Sequence, residues 1–420
     1  MPTSTAISLM VIAFIAVLAP ISAELLWRFR IPSILIEILL GILIGPSLLG
    51  WAHTDSVING LSGIGLCFLF FLAGFEINFS QLKGAPIIRG GAGWLVSLIL
   101  GLGLGGILLW SGYVLSSLLI GLALTTTAIG TLMPILKDRE ILHTKFGSFL
   151  TAAGAAGEFG PILAITILLG TESAGIQTLL LVGFIVIAVL IALIASRPQP
   201  PKVIDTLQKH LSTSTQLPVR IIILLIVAMV AIASKFGLEL LLGAFVSGLI
   251  ARLAIRPAQS ELLVPKLEAV GFGFFIPIFF IVSGMKFDAQ SLWKDPNTII
   301  HALFFFGLFI IIRGAPALFL YRKILSVRER FALGFLQATA LPMLVVIVEI
   351  GISTHHMKQI NATALVAAGM LSVLVFPLIG FGILGKTSAR DDDSTSRANK
   401  KLGLGQEMTF GDDLFPDTGA

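Results

Sequence analysis

Two charged residues stand where apolar sequence should exclude them. Glu158 sits in Ala155-Ala156-Gly157-Glu158-Phe159-Gly160-Pro161, and Arg313 in Ile310-Ile311-Ile312-Arg313-Gly314-Ala315-Pro316. Each has small neighbours and a Pro three places on. A charge at the centre of a membrane helix costs about 2.5–3.5 kcal/mol on insertion scales, so such residues usually have a partner, a water-filled cavity or a function. Their chemistries differ. A carboxylate holds a proton or, when ionised, a small hard cation. A guanidinium stays protonated at any relevant pH. Glu158 is therefore the candidate proton and monovalent-cation site. Arg313 is its fixed counter-charge or a tie that holds the core together. A purely structural Glu–Arg ion pair is the alternative.

Two polar breaks accompany these charges. One reads Leu124-Thr125-Thr126-Thr127-Ala128-Ile129-Gly130-Thr131-Leu132-Met133-Pro134, the other Leu336-Gln337-Ala338-Thr339-Ala340-Leu341-Pro342-Met343. Proline removes a backbone donor and disturbs the preceding turn. Carbonyls freed in a broken helix can bind a cation, and the half-helix ends supply opposed dipoles. Thr126, Thr127, Gln337 and Thr339 are thus candidate ligands beside Glu158. A pair of Pro-kinked helices with back-bonded hydroxyls is the plainer reading of either break alone.

Other carboxylates are weaker candidates for a pathway or accessory role. Glu76 falls near an inner helix end, where a solvated or Arg-paired side chain is the default. Glu37 lies inside the second span, and Glu349 lies near the outer end of the twelfth. Glu239 and Asp288 read as outer-rim residues. Gly101-Leu102-Gly103-Leu104-Gly105-Gly106 matches a dinucleotide-binding pattern but lies inside an apolar run, so it reads as a helix-packing face. His355-His356 reads as loop. Cys67 is the single cysteine, which excludes an intrachain disulfide. No nucleophile–base pair or metal constellation points to an enzyme, and no cofactor is expected.

The elements that position these residues follow from composition. Of 420 residues, 56% are hydrophobic and 12% charged, against about 25% charged in a soluble domain. The apolar runs are long and continuous, so they read as membrane helices rather than barrel strands. No Lys or Arg precedes Arg28, so the first run is expected to be a helix rather than a secretory leader. Thirteen spans are expected, from 6–26 to 359–384. With the N-terminus outside and the C-terminus cytoplasmic, 23 of the 28 Lys and Arg fall in inner loops and the tail, whereas Lys235, Lys286, Lys294 and Lys358 fall outside. That bias fits the positive-inside rule and explains the basic pI without nucleic acid. The Pro-rich stretch 196–219 follows the seventh span, leaving six spans on each side. An odd number of spans between halves inverts them, and the two broken spans are each fifth of six, a pattern that points to a transporter site. The polar tail, 386–420, is expected to be a disordered cytoplasmic segment too short for a regulatory domain.

The chain resembles the cation/proton antiporter superfamily, in its Kef-like bacterial branch, over nearly all of residues 5–385. The resemblance rests on Ile31-Pro32 to Gly45-Pro46, Phe68-Leu69-Phe70-Phe71-Leu72-Ala73-Gly74-Phe75-Glu76, Thr126-Thr127-Ala128, Leu242-Gly243-Ala244-Phe245-Val246-Ser247-Gly248, and Phe275-Ile276-Pro277 to Ser283-Gly284-Met285. It implies an all-α, NhaA-like antiporter fold with two inverted six-helix repeats and crossed discontinuous helices. Core helices would span 86–169 and 298–384, dimer-facing helices 6–77 and 218–284, with a linker helix at 176–196. It implies a homodimer in a bacterial plasma membrane that exchanges Na+ or K+ for H+ and serves pH homeostasis, Glu158 taking the transport carboxylate's place and Arg313 that of the core cation. Two departures bear on mechanism. Many relatives carry two polar residues where this chain has Gly157-Glu158, and many electrogenic ones carry Lys where Arg313 stands. One carboxylate beside a permanent cation suggests electroneutral one-for-one exchange. The rival classes are a ligand-gated K+ efflux channel with a separate regulatory subunit, and a non-transporting membrane sensor.

Overall fold

The computed structural model describes residues 3–25, 32–77, 84–142, 144–168, 174–196, 215–255 and 257–385, and their regular structure is entirely helical. Inner-loop Arg28, Arg30, Lys83, Lys202 and Lys209, the prolines at 198, 200 and 201, and the tail 386–420 lie outside the described residues. In chain order the helices are α1 (Thr3–Leu25), α2 (Ser33–Ile44), α3 (Ser56–Glu76), α4 (Ala85–Trp110), α5 (Ser117–Leu124), α6 (Ile129–Asp138), α7 (Lys145–Leu168), α8 (Ala174–Ala195), α9 (Leu217–Lys235), α10 (Leu240–Ala254), α11 (Pro257–Val270), α12 (Ile276–Met285), α13 (Ala289–Lys294), α14 (Pro296–Phe309), α15 (Ala315–Leu320), α16 (Val327–Gln337), α17 (Pro342–Ser353) and α18 (Gln359–Leu384).

The chain is a multi-pass integral membrane protein. Among the described residues nine helices are long and apolar enough to cross a bilayer, or ten if the bent pair α16–α17 counts as one span. That is fewer than the thirteen expected. Three of the expected spans form shorter apolar helices, Ser33–Ile44, Ser117–Met133 and Leu240–Ala254. Local sequence accounts for two of them: Gly45-Pro46 follows α2, and the threonine break interrupts 117–133. Twelve residues of α2 reach only about 18 Å at 1.5 Å per residue, against a hydrocarbon core of about 30 Å.

Two five-residue π-turns interrupt long helices, at Gly271–Phe275 between α11 and α12 and at Ile310–Gly314 between α14 and α15. Each lies just before a proline, Pro277 or Pro316, which offers no N–H to the carbonyl four residues earlier. Widening the turn re-pairs the backbone around that missing donor, and such turns recur at functional sites.

Contacts divide the helices into two packing groups. In one, α3 lies against α10, α2 against α12, and α9 against α10; in the other, α4 packs on α5 and α7, and α18 on α14, α16 and α17. Helix α8 touches α7 of one group and α10 of the other. The first group is welded by glycines. A Cβ at Gly74 would lie 2.2 Å from the Phe245 carbonyl oxygen, and one at Gly248 2.1 Å from that of Phe71. Likewise a Cβ at Gly41 would lie 2.2 Å from the Ile281 carbonyl oxygen, and one at Gly284 2.2 Å from that of Ile38. Small residues allow such backbone approach in lipid, where packing and hydrogen bonds drive helix association. The glycine run inside α4 serves the same end: Gly101 and Gly105 face the backbone of Gly121 and Ser117.

The loop between α2 and α3 is tied to α1. Asp55 caps α3 by accepting from the Val57 and Ile58 amides at 3.0 and 2.9 Å, and it accepts the hydroxyl of buried Thr5. Ser8 Oγ accepts from the His53 amide at 3.1 Å. The Thr5 hydroxyl, then the Ile58 amide, hold the Asp55 carboxyl below the usual carboxylate range. A depressed folded-state pKa contributes stability above the unfolded value and loses it as pH falls through the folded one. Asp55→Ala is therefore expected to lower the thermal midpoint in detergent at neutral pH, and its deficit against wild type should shrink as the solution is acidified through the carboxylate range.

Candidate proton and cation site

The first break begins where side chains take over from helix bonds. Thr125 and Thr126 hydroxyls donate back to the Leu122 and Ala123 carbonyls, each at 2.8 Å, and close the end of α5. The next two amides turn away from their own helix. The Thr127 amide donates to the Gly157 carbonyl in α7 at 3.0 Å, and the Ala128 amide to the Thr339 carbonyl at 2.7 Å. Thr127 Oγ1 donates to the Gln337 carbonyl at 2.5 Å. The two polar breaks therefore cross and are bonded to each other. The second break, residues 338–341, bends α16 against α17 by 41°. Its Ala340 amide donates to Ser372 Oγ of α18 at 2.9 Å.

Arg313 is 1% exposed, in the π-turn beneath this crossing. Its Nε and Nη2 donate to Thr127 Oγ1 at 3.0 and 2.7 Å, Nη2 also to the Ala153 carbonyl at 3.0 Å, and Nη1 to Ser97 Oγ at 3.4 Å. The Gln337 amide side chain donates to the Arg313 carbonyl. The guanidinium thus clamps both breaks, α4 and α7 together.

Glu158 is 3% exposed, and its Oε2 has no hydrogen-bond partner. Its carboxylate lies against the backbone of Ile129, the first residue of α6, and within electrostatic range of Glu76. A carboxylate at a helix N-terminus meets the positive end of the helix dipole. The alternative reading, a direct Glu158–Arg313 ion pair, is not met: no nitrogen–oxygen contact within 4.0 Å joins these two described residues, whereas Lys286 and Glu349 pair at 2.7 Å. Helical geometry gives the reason. Residues four apart share a face. Ala153 and Gly157 face Arg313 and Thr127, whereas Gly154 and Glu158 form the neighbouring stripe facing Ile129. Arg313 is hydrogen-bonded to neutral oxygens instead.

The other expected ligands divide. Thr339 is fully buried and its Oγ1 has no partner, so it and Glu158 Oε2 are the fully buried oxygens without a partner among the five expected ligands. Their backbone partners, Ala128 and Ile129, are consecutive. Thr126 and Thr127 hydroxyls are already donated to carbonyls, and the Gln337 amide is bound to Arg313. Glu76 ends α3 near Glu158. Glu349 lies away from the crossing, paired to Lys286 at the end of α12. Glu37 is buried on the wall of a separate cavity. Among the described residues no group of three His, Cys, Asp or Glu is placed to hold a metal ion.

Several participants carry little sequence signal. Ser97 and Ser372 are lone hydroxyls in apolar runs. The reason for a glycine at 157 is steric: a Cβ there would lie 2.4 Å from Thr127 Oγ1 and 2.5 Å from Arg313 Nη2. The glycine leaves room for the clamp.

A family model described as "Sodium/hydrogen exchanger, transmembrane" matches residues 12–386. The chain belongs to this exchanger family. It is 27% identical over 394 residues to the putative Na+/H+ antiporter YjbQ of Bacillus subtilis, covering 88% of this chain and 62% of that one. It is 26% identical over 396 residues to the Na+/H+ antiporter of Enterococcus hirae, covering 88% and 96%. The chain thus spans less than two thirds of the Bacillus relative. Among solved structures, the sodium proton antiporter MjNhaP1 of Methanocaldococcus jannaschii matches with a TM-score of 0.67 at 17% identity, covering 91% of this chain and 99% of that one. This likeness carries the exchanger fold.

Two substitutions test the clamp. Gly157→Ala should destabilise the protein by about 1–3 kcal/mol, the usual cost of overpacking, read as a lower thermal midpoint. Gly91→Ala, whose methyl meets open space, should leave that midpoint unchanged or raise it. Arg313→Lys, which cannot span Thr127, Ala153 and Ser97 together, should lose roughly 1.5–3 kcal/mol for each charged hydrogen bond forfeited.

Proposed function

We propose that the protein is a secondary antiporter exchanging Na+ or K+ for H+ by competition at Glu158. The observation that carries this reading is a buried carboxylate oxygen without a partner, at the crossing of two broken helices and against the start of α6. When ionised, Glu158 holds a monovalent cation with the Thr339 hydroxyl and nearby backbone carbonyls. Protonation removes the negative charge and releases the cation. Thr126, Thr127 and Gln337 shape the site from behind. Glu76 adds negative potential that draws an incoming cation towards it. Names of relatives such as the Enterococcus antiporter support the same exchange, and the sequence motifs suggest the Kef-like branch as the finer placement.

The organisation we infer has thirteen membrane segments: nine long helices, the bent pair and three shorter helices. Two six-segment halves are inverted about α8. Residues 86–169 and 298–384 form the moving core, and 6–77 and 218–284 the scaffold that pairs in a homodimer. The two packing groups and the crossed breaks support this division. The positive-inside bias supports an outer N-terminus in a bacterial plasma membrane. Alternating access moves the core against the scaffold. The Lys286–Glu349 pair, between the end of α12 and α17, then joins scaffold to core on the outer side.

Exchange is electroneutral in this reading. Arg313 is committed to neutral acceptors and keeps its charge, so one carboxylate trades one proton for one cation. In proteoliposomes with a pH dye, wild type should move protons when challenged with Na+ or K+, and the rate should not respond to an imposed voltage. Glu158→Gln should abolish that movement while folding normally. Full activity in this variant would sink the competition mechanism; voltage-driven exchange without leaks would sink electroneutrality alone.

A further inference from the structure

A cavity of about 1170 Å³ separates α1 and α2 from α6 and α18. It is lined by Glu37 of α2, by Phe272 and Gly273 of the first π-turn, by Gly130 and Thr131 of α6 and by Arg139 just beyond that helix. Glu37 is 6% exposed, and its Oε2 has no hydrogen-bond partner. A carboxylate oxygen out of water and without a donor is satisfied by a proton or a bound cation. The competition mechanism uses neither this carboxylate nor this cavity.

The placement relative to Glu158 is informative. Gly130 and Thr131 directly follow Ile129, the residue whose backbone lies against Glu158. The two carboxylates therefore address the same first turn of α6, Glu158 from α7 and Glu37 across the cavity. The space between is wide enough for bridging water. We propose that Glu37 is a second proton-binding site, loaded from this cavity, that relays protons towards the turn of α6 on which Glu158 rests. The inference rests on the exchange reading above and leaves its stoichiometry unchanged, because a relay returns to its starting state each cycle.

Arg139 is the other charged group on the described walls, its guanidinium 4.7 Å from the Phe381 ring centroid. The wall residues of α1, α12 and α18 contribute no titratable side chain among the described residues. Glu24 lies beyond Ile21 on α1, exposed and off the wall. Glu37 thus has no carboxylate neighbour on the cavity to share its proton.

Two measurements on the full chain in proteoliposomes test the relay. Dicyclohexylcarbodiimide forms a stable adduct with protonated carboxyl groups in apolar surroundings. Peptide mass spectrometry should find that adduct on Glu37, declining as the labelling pH rises between about pH 5 and pH 9. In the pH profile of cation-driven proton movement, Glu37→Gln should displace the acid limb by about one unit, and Glu37→Asp should bring it back. A Glu37 that is unlabelled throughout this range, or a Glu37→Gln profile superimposable on wild type, overturns the proposal. Failure of the underlying reading is separate and visible as exchange that survives Glu158→Gln.

Discussion

A guanidinium sealed from water must find acceptors for its N–H groups, and in this protein that requirement shapes the centre of the fold. Arg313 reaches Thr127 of one break, the Ala153 carbonyl of α7 and Ser97 of α4, while its own carbonyl receives Gln337 from the other break. A charged hydrogen bond in a low-dielectric interior is strong, and losing one leaves a costly orphan. The breaks are held open by this clamp. Without it the Thr127 and Gln337 groups would need new partners, and two interrupted helices in lipid would carry unsatisfied backbone.

The clamp also assigns unequal duties to the two buried charges. Arg313 spends its donors on neutral oxygens and so organises the crossing without titrating. Glu158, one residue round the same helix from Gly157, keeps one oxygen unengaged. A permanently charged scaffold and a carboxylate with spare capacity are complementary: one sets the geometry, and the other, in the proposed mechanism, exchanges its occupant. Thr339 shares that spare capacity, because its backbone is bound at the crossing while its hydroxyl is not.

Much of this was legible in the sequence, for a physical reason. A Glu, an Arg and two Thr/Gln-plus-Pro breaks stand out against apolar runs because lipid tolerates polar groups only with cause. What the sequence withheld was azimuth and length. It placed Glu158 and Arg313 in the core but not on which faces, so a direct pair stayed open as an alternative where adjacent stripes of α7 separate the two. It placed α2 and α10 as spans, although their helices are short. Gly157 is the sharpest case: the need for an absent side chain is not read until a Cβ there is placed 2.4 Å from Thr127 Oγ1. Ser97 and Ser372 read as ordinary apolar-run hydroxyls for the same reason.

The glycine crossings of α3 with α10 and α2 with α12 have a consequence for how such proteins are recognised. Apart from Thr126 to Ala128 at the crossing, the segments that make this chain look like an exchanger, Ile31 to Pro46, Phe68 to Glu76, Leu242 to Gly248 and Phe275 to Met285, are those whose backbones touch at Gly41, Gly74, Gly248 and Gly284. Apart from Glu76 at the end of α3, they record how the frame is bolted together. A descendant that lost Glu158 yet kept these bolts would still be classed among the exchangers. Under the proposed competition at Glu158, family likeness and exchange rest largely on different residues, so a count of members by the frame is a count of frames.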